Sequence, residues 1–117
     1  MLSKADIFAA NDRKIEAVDV PEWNCTLFVR SMNGLERNQW ATSCEPCYVE
    51  GKLVDWSLLQ TRLLIATVCD DKGKLVFDDK DAAPLSQRNA AVLNRIFKAS
   101  AKLNALYEAA EAEAKKN

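Results

Sequence analysis

The sequence predicts an α+β fold: a mainly α-helical single domain with an N-terminal β-hairpin and a long C-terminal helix. Two segments rich in Ile and Val lie before residue 31, and apolar segments with helical spacing follow them. A chain of 117 residues, 49% hydrophobic and 28% charged, can bury one modest core. We therefore expect one domain over residues 1–107 and a solvated helical extension over residues 108–117.

The N-terminal third predicts a short helical turn followed by the hairpin. Ser3 is a candidate N-cap for the turn. The strands are expected at Lys14–Val20 and Thr26–Arg30, joined by a turn in which Trp23 covers the open end of the sheet. Side chains alternate between the two faces along a strand, so Phe28 lies on one face. The opposite face carries Cys25, Leu27 and Val29. If Phe28 lies on the outer face of the hairpin, its side chain packs either against a helix of this chain or against a partner protein.

The middle of the chain predicts two helices separated by a loop. Asn33 is the candidate N-cap of the first, which runs from Leu35 to about Cys44, and a loop from Glu45 to Lys52 follows it. The second runs through the most apolar segment, Leu53 to Cys69, and is buried over more than half of its girth. The turn Asp70–Gly73 ends it.

The C-terminal third predicts a short helix and then a long one. Asp78 caps the short helix, which reaches Leu85, and Ser86 caps the long helix, which runs from Gln87 to beyond Leu106. The apolar residues of the long helix follow the spacing of an amphipathic helix; they are Val92, Leu93, Ile96, Phe97, Leu103, Leu106 and Tyr107. This face is expected to pack on the central helix.

Charge and composition narrow the function classes. Sixteen basic and seventeen acidic residues, scattered along the chain, give a net charge of -1, which disfavours nucleic acid and anionic membranes as partners. No segment has the pattern of a signal peptide or a membrane span, so we expect a cytoplasmic chain. There is no histidine, no Gly-rich phosphate loop and no G-x-S-x-G motif, so the sequence gives no support for an enzyme or a cofactor.

The four cysteines leave an alternative open. Cys44 and Cys47 form a C-x-x-C motif, a spacing found in zinc sites and in redox dithiols. A zinc site needs two more ligands, and only Cys25 and Cys69 remain. We therefore favour reduced thiols without a chemical role and expect no metal, with a small zinc or thiol-based binding module using Cys44 and Cys47 as the alternative.

Five stretches follow one another in an order that suggests a known family. They are VDVPEW leading into LFVR, NGLERNQW, RLLIATVCDDKGKLVF, DDKDAAPL and NRIFKASAKLNAL. Together they resemble the small tail assembly chaperones of long-tailed bacteriophages and prophages, over roughly residues 1–107. The chain departs from the pattern at Cys44–Gly51 and at Leu85–Ser86, where a glycine is more usual.

The resemblance implies a non-enzymatic protein that binds the tape measure protein. Such a chaperone keeps this largely helical client soluble until tail tube subunits polymerise around it, and is then released. A longer form, made by a programmed ribosomal frameshift, recruits the tail tube protein through its extra domain. The resemblance further implies the bacterial host cytoplasm and absence from the mature virion. Weak self-association is expected on physical grounds, because shielding a long amphipathic client requires many copies of a small adaptor. A phage-encoded inhibitor of a host protein is a further alternative.

Two hypotheses about this function concern particular residues: a possible frameshift site and the partner-binding surface. The codons of Ala114, Lys115 and Lys116 can contain the slippery run A AAA AAG, although the lysines also suit the C-terminus of a helix dipole. For the partner-binding surface we predict Phe28, Trp40 and Tyr107, large side chains near the ends of predicted elements. The alternative for each of the three is ordinary core packing.

Overall fold

The structure, a computed structural model, describes residues 2–107 and confirms the α+β fold with its N-terminal hairpin and long C-terminal helix. The helices are α1 Lys4–Ala9, α2 Gly34–Ser43, α3 Trp56–Thr67, α4 Ala82–Ser86 and α5 Ala90–Leu103. The strands are β1 Ile15–Val20, β2 Cys25–Arg30, β3 Tyr48–Val49, β4 Lys52–Leu53 and β5 Val68–Cys69. None of the described helices is both long and apolar enough to cross a membrane.

Three antiparallel strands form the main sheet, in the order β1, β2, β5. Residues directly opposite each other share a face, so the pairing assigns every side chain to one side. The core face carries Val18, Val20, Leu27, Val29 and Val68. The opposite face, which we call the outer sheet face, carries Ile15, Ala17, Phe28, Cys69 and Leu75. The prediction that Leu27 and Val29 oppose Phe28 is confirmed.

Helices α3 and α5 cross on the core face of the sheet. Their most buried apolar side chains, Leu63, Leu64, Val92 and Ile96, are at most 1% exposed. Two buried hydroxyls lie at the crossing: Ser100 Oγ donates to Thr67 Oγ1, and Thr67 Oγ1 donates to the Leu63 carbonyl, each at 2.7 Å. These two buried hydroxyls therefore have hydrogen-bond partners, as most buried polar groups do. The packing of the long helix on the central helix is confirmed.

Local capping chemistry sets three of the helix starts. Ser3, Asn33 and Asp78 each form a capping box, in which the cap side chain and the acidic residue three positions later bond each other's backbone N–H groups. Asn33 Oδ1, for example, accepts from the Glu36 N–H at 2.8 Å. The predicted caps Ser3 and Asn33 are confirmed. Asp78 caps the 3-10 turn Asp79–Asp81, which leads directly into α4.

The central helix is shorter than predicted at both ends. Leu53 lies in β4, and Asp55 is the N-cap of α3, accepting from the Leu58 N–H at 3.0 Å. At the other end Val68–Cys69 leaves the helix and pairs with β2, which buries both side chains against the sheet. The predicted loop from Glu45 to Lys52 contains a 3-10 turn and β3.

The start of the long helix was also predicted in the wrong place. Ser86 is the last residue of α4, and its hydroxyl donates to the Ala83 carbonyl at 2.7 Å. Asn89 caps α5 instead, because its Oδ1 accepts from the N–H groups of Ala91 and Val92. Asparagine and serine are about equally good N-caps, so the local sequence did not distinguish them.

The end of α5 corrects the prediction that the helix continues past Leu106. Helix α5 ends at Leu103, where the Leu106 N–H bonds the Ala101 carbonyl at 2.8 Å and the Ala105 N–H bonds the Lys102 carbonyl at 3.2 Å. These two bonds form a Schellman motif, with Ala105 in the left-handed conformation at φ 54°. The predicted extension over residues 108–117 lies outside the described residues, as do Ala114, Lys115 and Lys116.

Replacing Ala105 by glycine is expected to raise the free energy of unfolding by about 0.5–1 kcal/mol. The left-handed conformation is strained for alanine but not for glycine, and this gain exceeds the extra entropy of glycine in the unfolded chain. Urea unfolding followed by circular dichroism measures the change. The matched control, Ala99→Gly in the interior of α5, should lower stability by about 1 kcal/mol. A loss of stability in Ala105→Gly contradicts this account.

Candidate interaction surfaces

The three predicted contact residues lie on three different elements. Phe28 is half-buried on β2, Trp40 is half-buried on α2, and Tyr107 follows α5 with 41% of its surface exposed. Aromatic pairs among the described residues join none of the three to another. The structure therefore gives three separate environments rather than one cluster.

Phe28 lies at the middle of the outer sheet face. Its register partners are Ala17 on one side and Cys69 on the other. Ile15 and Leu75 share this face and are 39% and 37% exposed. The middle of this face is thus apolar and only partly covered, whereas Asp19, Thr26 and Arg30 lie towards its two ends. Contact between Phe28 and a partner stays a prediction.

A charged cluster lies at one end of the hairpin. The Glu36 carboxylate accepts from Arg13 Nη1 at 2.6 Å and from Arg30 Nη2 at 2.7 Å, which ties α2 to the sheet. Arg30 also donates to the Gly73 carbonyl at 2.8 Å, so the turn after β5 is held as well. Burial alone raises the pKa of Glu36, but the Arg13 and Asn33 hydrogen bonds and the Arg30 charge outweigh it and hold the pKa below its usual value.

Trp40 packs between two apolar clusters. One is the main core, and the other consists of Cys44, Cys47 and Leu59. Trp40 Nε1 is buried and has no hydrogen-bond partner among residues 2–107. This packing gives Trp40 a structural role, and its contact with a partner stays a prediction.

The two cysteines of the C-x-x-C motif are buried in the second cluster. Burial raises the pKa of the Cys44 thiol to about 11 and also raises that of Cys47. Both thiols therefore stay protonated near neutral pH in the metal-free chain, which disfavours the thiolate that redox chemistry needs. Within the described ranges, no group of three or more His, Cys, Asp or Glu side chains has an arrangement suited to a metal ion.

A second surface, which we call the aromatic surface, consists of Trp56 and Tyr107, whose rings pack on the buried Phe97, and of Tyr48, which lies near Tyr107. The ring centroids of Trp56 and Phe97 are 5.1 Å apart, edge to face, and those of Phe97 and Tyr107 are 6.1 Å apart, stacked. Trp56, Tyr107 and Tyr48 are 48%, 41% and 40% exposed. Burial, with the nearby Tyr48 and the two cysteines, raises the pKa of the Tyr107 phenol. Tyr48 and Trp56 were not among the contact residues predicted from the sequence. The available signal for Trp56 was its position directly after Asp55, a residue type that caps helices.

Two cavities lie on either side of Arg88, at the turn between α4 and α5. The first, of about 540 Å³, is mostly apolar and is lined by Trp23, Phe77, Asp81, Pro84, Leu85 and Arg88. The second, of about 480 Å³, we call the corner groove; its principal lining residues are Trp56, Ser57, Gln60, Arg88, Ala90 and Asn94. The corner groove lies where α3 and α5 begin.

Comparison with known proteins decides the family. Residues 5–117 match the family described as phage tail assembly chaperone. The chain belongs to that family. As a phage tail assembly chaperone it is also similar in fold to the solved structure of the bacteriophage HK97 tail assembly chaperone. The TM-score is 0.58 and the identity 19%, over 85% of this chain and 90% of that chain. No curated protein matches the chain.

Membership confirms the resemblance found in the five sequence stretches and gives the chain a chaperone role in phage tail assembly. The family is generally non-enzymatic, and nothing in residues 2–107 gives positive support for catalysis. At 19% identity, the HK97 structure supports the shared fold and adds nothing about individual residues.

Proposed function

We propose that this chain binds the tape measure protein of its phage and keeps it soluble until tail tube subunits polymerise around it. The observation that carries the proposal is the match to the phage tail assembly chaperone family over residues 5–117. A long, largely helical client exposes apolar stripes before assembly, and a chaperone has to cover them with an apolar surface of its own.

The aromatic surface supports this proposal. Leu53 pairs with Tyr48 across the small β3–β4 hairpin, so it lies on the same face as this ring, and it is 42% exposed. Val54, the residue after the hairpin, is 61% exposed. Hydrogen bonds fix the base of the hairpin, because the carbonyl of Cys47, before β3, accepts from the N–H groups of Val54 and Asp55, after β4. An apolar surface on a fixed backbone suits a client helix, since little ordering is needed on binding.

Helix α1 supports self-association of the chaperone. It buries none of its residues, and Leu2, Ile7 and Phe8 near it are 76%, 58% and 80% exposed. A six-residue helix is too short to be stable in water by itself. In our proposal weak contacts through α1 join several copies along one client.

The proposal also covers the longer form of the protein, its location, its release and the partners it does not bind. A frameshifted longer form recruits the tail tube protein, the chaperone acts in the bacterial host cytoplasm, and it is released before the virion is complete. Nucleic acid and membranes are not partners in this proposal. The net charge of -1 supports that part, because phosphate binding depends on an excess of basic residues.

Co-expression tests the proposal. The tagged chain is produced with the product of the longest reading frame directly downstream of its gene, and the complex is recovered by pull-down and measured by light scattering. We expect a soluble complex with several copies of the chaperone per client. The variant Trp56→Ser should reduce recovery, whereas the control Leu35→Ser, at a residue 67% exposed on α2, should not. A client that is soluble alone and never co-purifies would overturn the proposal.

A further inference from the structure

A third cavity, of about 470 Å³, lies between α2 and α3, and we call it the α2–α3 cavity. Three residues from three different elements line it: Arg30 of β2, Trp40 of α2 and Arg62 of α3. Each has a buried side-chain N–H group, at Arg30 Nε, Trp40 Nε1 and Arg62 Nε, that has no hydrogen-bond partner in residues 2–107. No other buried side-chain nitrogen or oxygen in this part of the chain lacks a partner. The unpaired groups are thus all donors, and their residues all line one cavity.

An unpaired buried donor is unfavourable, because the group has lost its contact with water and has gained no acceptor. Most buried polar groups in native proteins avoid this cost. The terminal nitrogens of both guanidinium groups are already held by the chain. Arg30 Nη1 donates to the Gly73 carbonyl and Arg30 Nη2 to Glu36, at 2.8 and 2.7 Å. Arg62 Nη1 donates to Asp79 at 3.0 Å. Turning either Nε–H group towards another acceptor would break these bonds, so the donors are fixed and available to a ligand.

The charge of the lining favours a neutral acceptor over an anion. The two arginines of the cavity are matched by three carboxylates, those of Glu36, Asp78 and Asp79. Glu36 forms an ion pair with Arg30, and Asp79 forms one with Arg62. An anionic ligand therefore gains no net attraction from these five groups. A carbonyl oxygen accepts the same hydrogen bonds without bringing a net charge into the cavity.

Apolar walls connect the cavity to the outer sheet face. Ile65, Ala66 and Phe77 line the cavity beside the donors. Leu75 belongs both to the cavity lining and to the outer sheet face, and it is 37% exposed. A ligand that extends out of the cavity along this face thus meets apolar side chains. A polypeptide combines several neutral carbonyl groups with apolar side chains, so the lining suits a protein partner.

We propose that the α2–α3 cavity binds backbone carbonyl groups in an apolar segment of the client protein. The three unpaired N–H groups donate to these carbonyls, and apolar side chains of the segment pack on Leu75 and the outer sheet face. The carbonyls have no partner within the segment itself, as in the last turn of a helix. Because the three nitrogen atoms are covered in the free chain, the side chains around them shift when the segment binds. In naming the client, this inference rests on the proposed function.

Nuclear magnetic resonance on the full chain tests the cavity without the client. The ¹⁵N-labelled protein is titrated with the blocked tripeptide acetyl-Leu-Ala-Leu-amide and, separately, with acetate. We expect the peptide to shift the Trp40 indole N–H and the Nε–H signals of Arg30 and Arg62 together, at about tenfold lower concentration than acetate. Acetate binding as tightly as the peptide, or peptide shifts located elsewhere, would overturn the inference. So would a cavity that holds water alone, in which the three signals exchange magnetisation with water and do not respond to the peptide.

Conservative variants separate hydrogen bonding from packing. Trp40→Phe keeps an aromatic ring but removes the indole N–H, and Arg62→Lys keeps the charge but removes the Nε–H group. Each should bind the peptide about fivefold more weakly than the wild type. The matched control Trp23→Phe, at a half-buried residue of the turn between β1 and β2, should bind the peptide as the wild type does. Unchanged peptide binding in both Trp40→Phe and Arg62→Lys would contradict the donor role of the cavity.

The client complex supplies an independent readout. Trp40→Phe should weaken client binding about fivefold, while Trp23→Phe should leave it unchanged. If the wild-type chain binds the client and Trp40→Phe binds it equally, the inference about the cavity fails and the proposed function stands. If the wild type does not bind the client but the peptide still shifts the three N–H signals, the proposed function fails and the cavity remains a site for peptide carbonyl groups.

Discussion

Replacing Phe97 by alanine is expected to lower the free energy of unfolding by about 3–5 kcal/mol. Phe97 is 5% exposed and belongs to the main core, so its removal leaves a cavity between α5 and α3. It also supports Trp56 and Tyr107, whose rings pack on its two sides. The stability of a domain of this size is of the order of 5–15 kcal/mol, so the loss is a large fraction of the total.

Urea unfolding followed by tryptophan fluorescence and by far-ultraviolet circular dichroism measures this change. The matched control is Phe8→Ala, at a residue 80% exposed on α1, and its effect should stay within about 0.5 kcal/mol. Because Trp56 loses its edge-to-face partner, its emission should also shift in the folded Phe97→Ala protein. A loss of stability below about 1 kcal/mol would show that the core collapses into the cavity and that Phe97 does not support the core.

Replacing Glu36 by glutamine is expected to cost roughly 2–3 kcal/mol at neutral pH. The side chain is 23% exposed and pairs with Arg13 and Arg30, of which Arg30 is 14% exposed. The substitution leaves two partly buried guanidinium groups without a carboxylate. It also weakens the capping box of α2, because Glu36 accepts from the Asn33 N–H at 2.9 Å.

The cost of Glu36→Gln should depend on pH. The pKa of Glu36 in the folded chain is lower than its ordinary value of 4.5, so the ionised carboxylate stabilises the fold above about that pH. As pH falls through the lower, folded pKa, the wild type loses this stabilisation and the variant does not. The difference between the two proteins should therefore be constant well above pH 4.5 and shrink as the pH falls below it. The exposed Glu16→Gln serves as control, and a difference that is constant with pH would contradict the ion-pair account.

Local signals predicted much of the fold. The capping boxes at Ser3, Asn33 and Asp78 need only residues within one helical turn, so they are visible in the sequence. The spacing of apolar residues in α5 likewise identified the face that is buried, from Val92 to Phe97. These features do not depend on any distant part of the chain.

Features that depend on distant contacts were missed. Val68 and Cys69 continue the apolar pattern of α3, and only their pairing with β2 makes them a strand. The β3 and β4 strands have two residues each, which is below the length at which alternation can be recognised. The end of α5 was missed because the left-handed position is occupied by Ala105 rather than by the usual glycine.

The candidate surfaces also depend on contacts between residues that are distant in sequence. Tyr107 was chosen as a helical residue, whereas it lies beyond the helix and reaches the aromatic surface only through the turn at Ala105. The corner groove joins Gln60 to Arg88, residues 28 positions apart in sequence, and no short motif relates them.

The Schellman turn at the end of α5 also fixes the positions of Leu106 and Tyr107. Leu106 is drawn back into the core at 7% exposure, and the next residue, Tyr107, stacks on Phe97 beside Trp56. The conformation of Ala105 thus decides whether Tyr107 belongs to the aromatic surface. A substitution that removes this turn would separate Tyr107 from Phe97 and change the aromatic surface without touching any of its other rings.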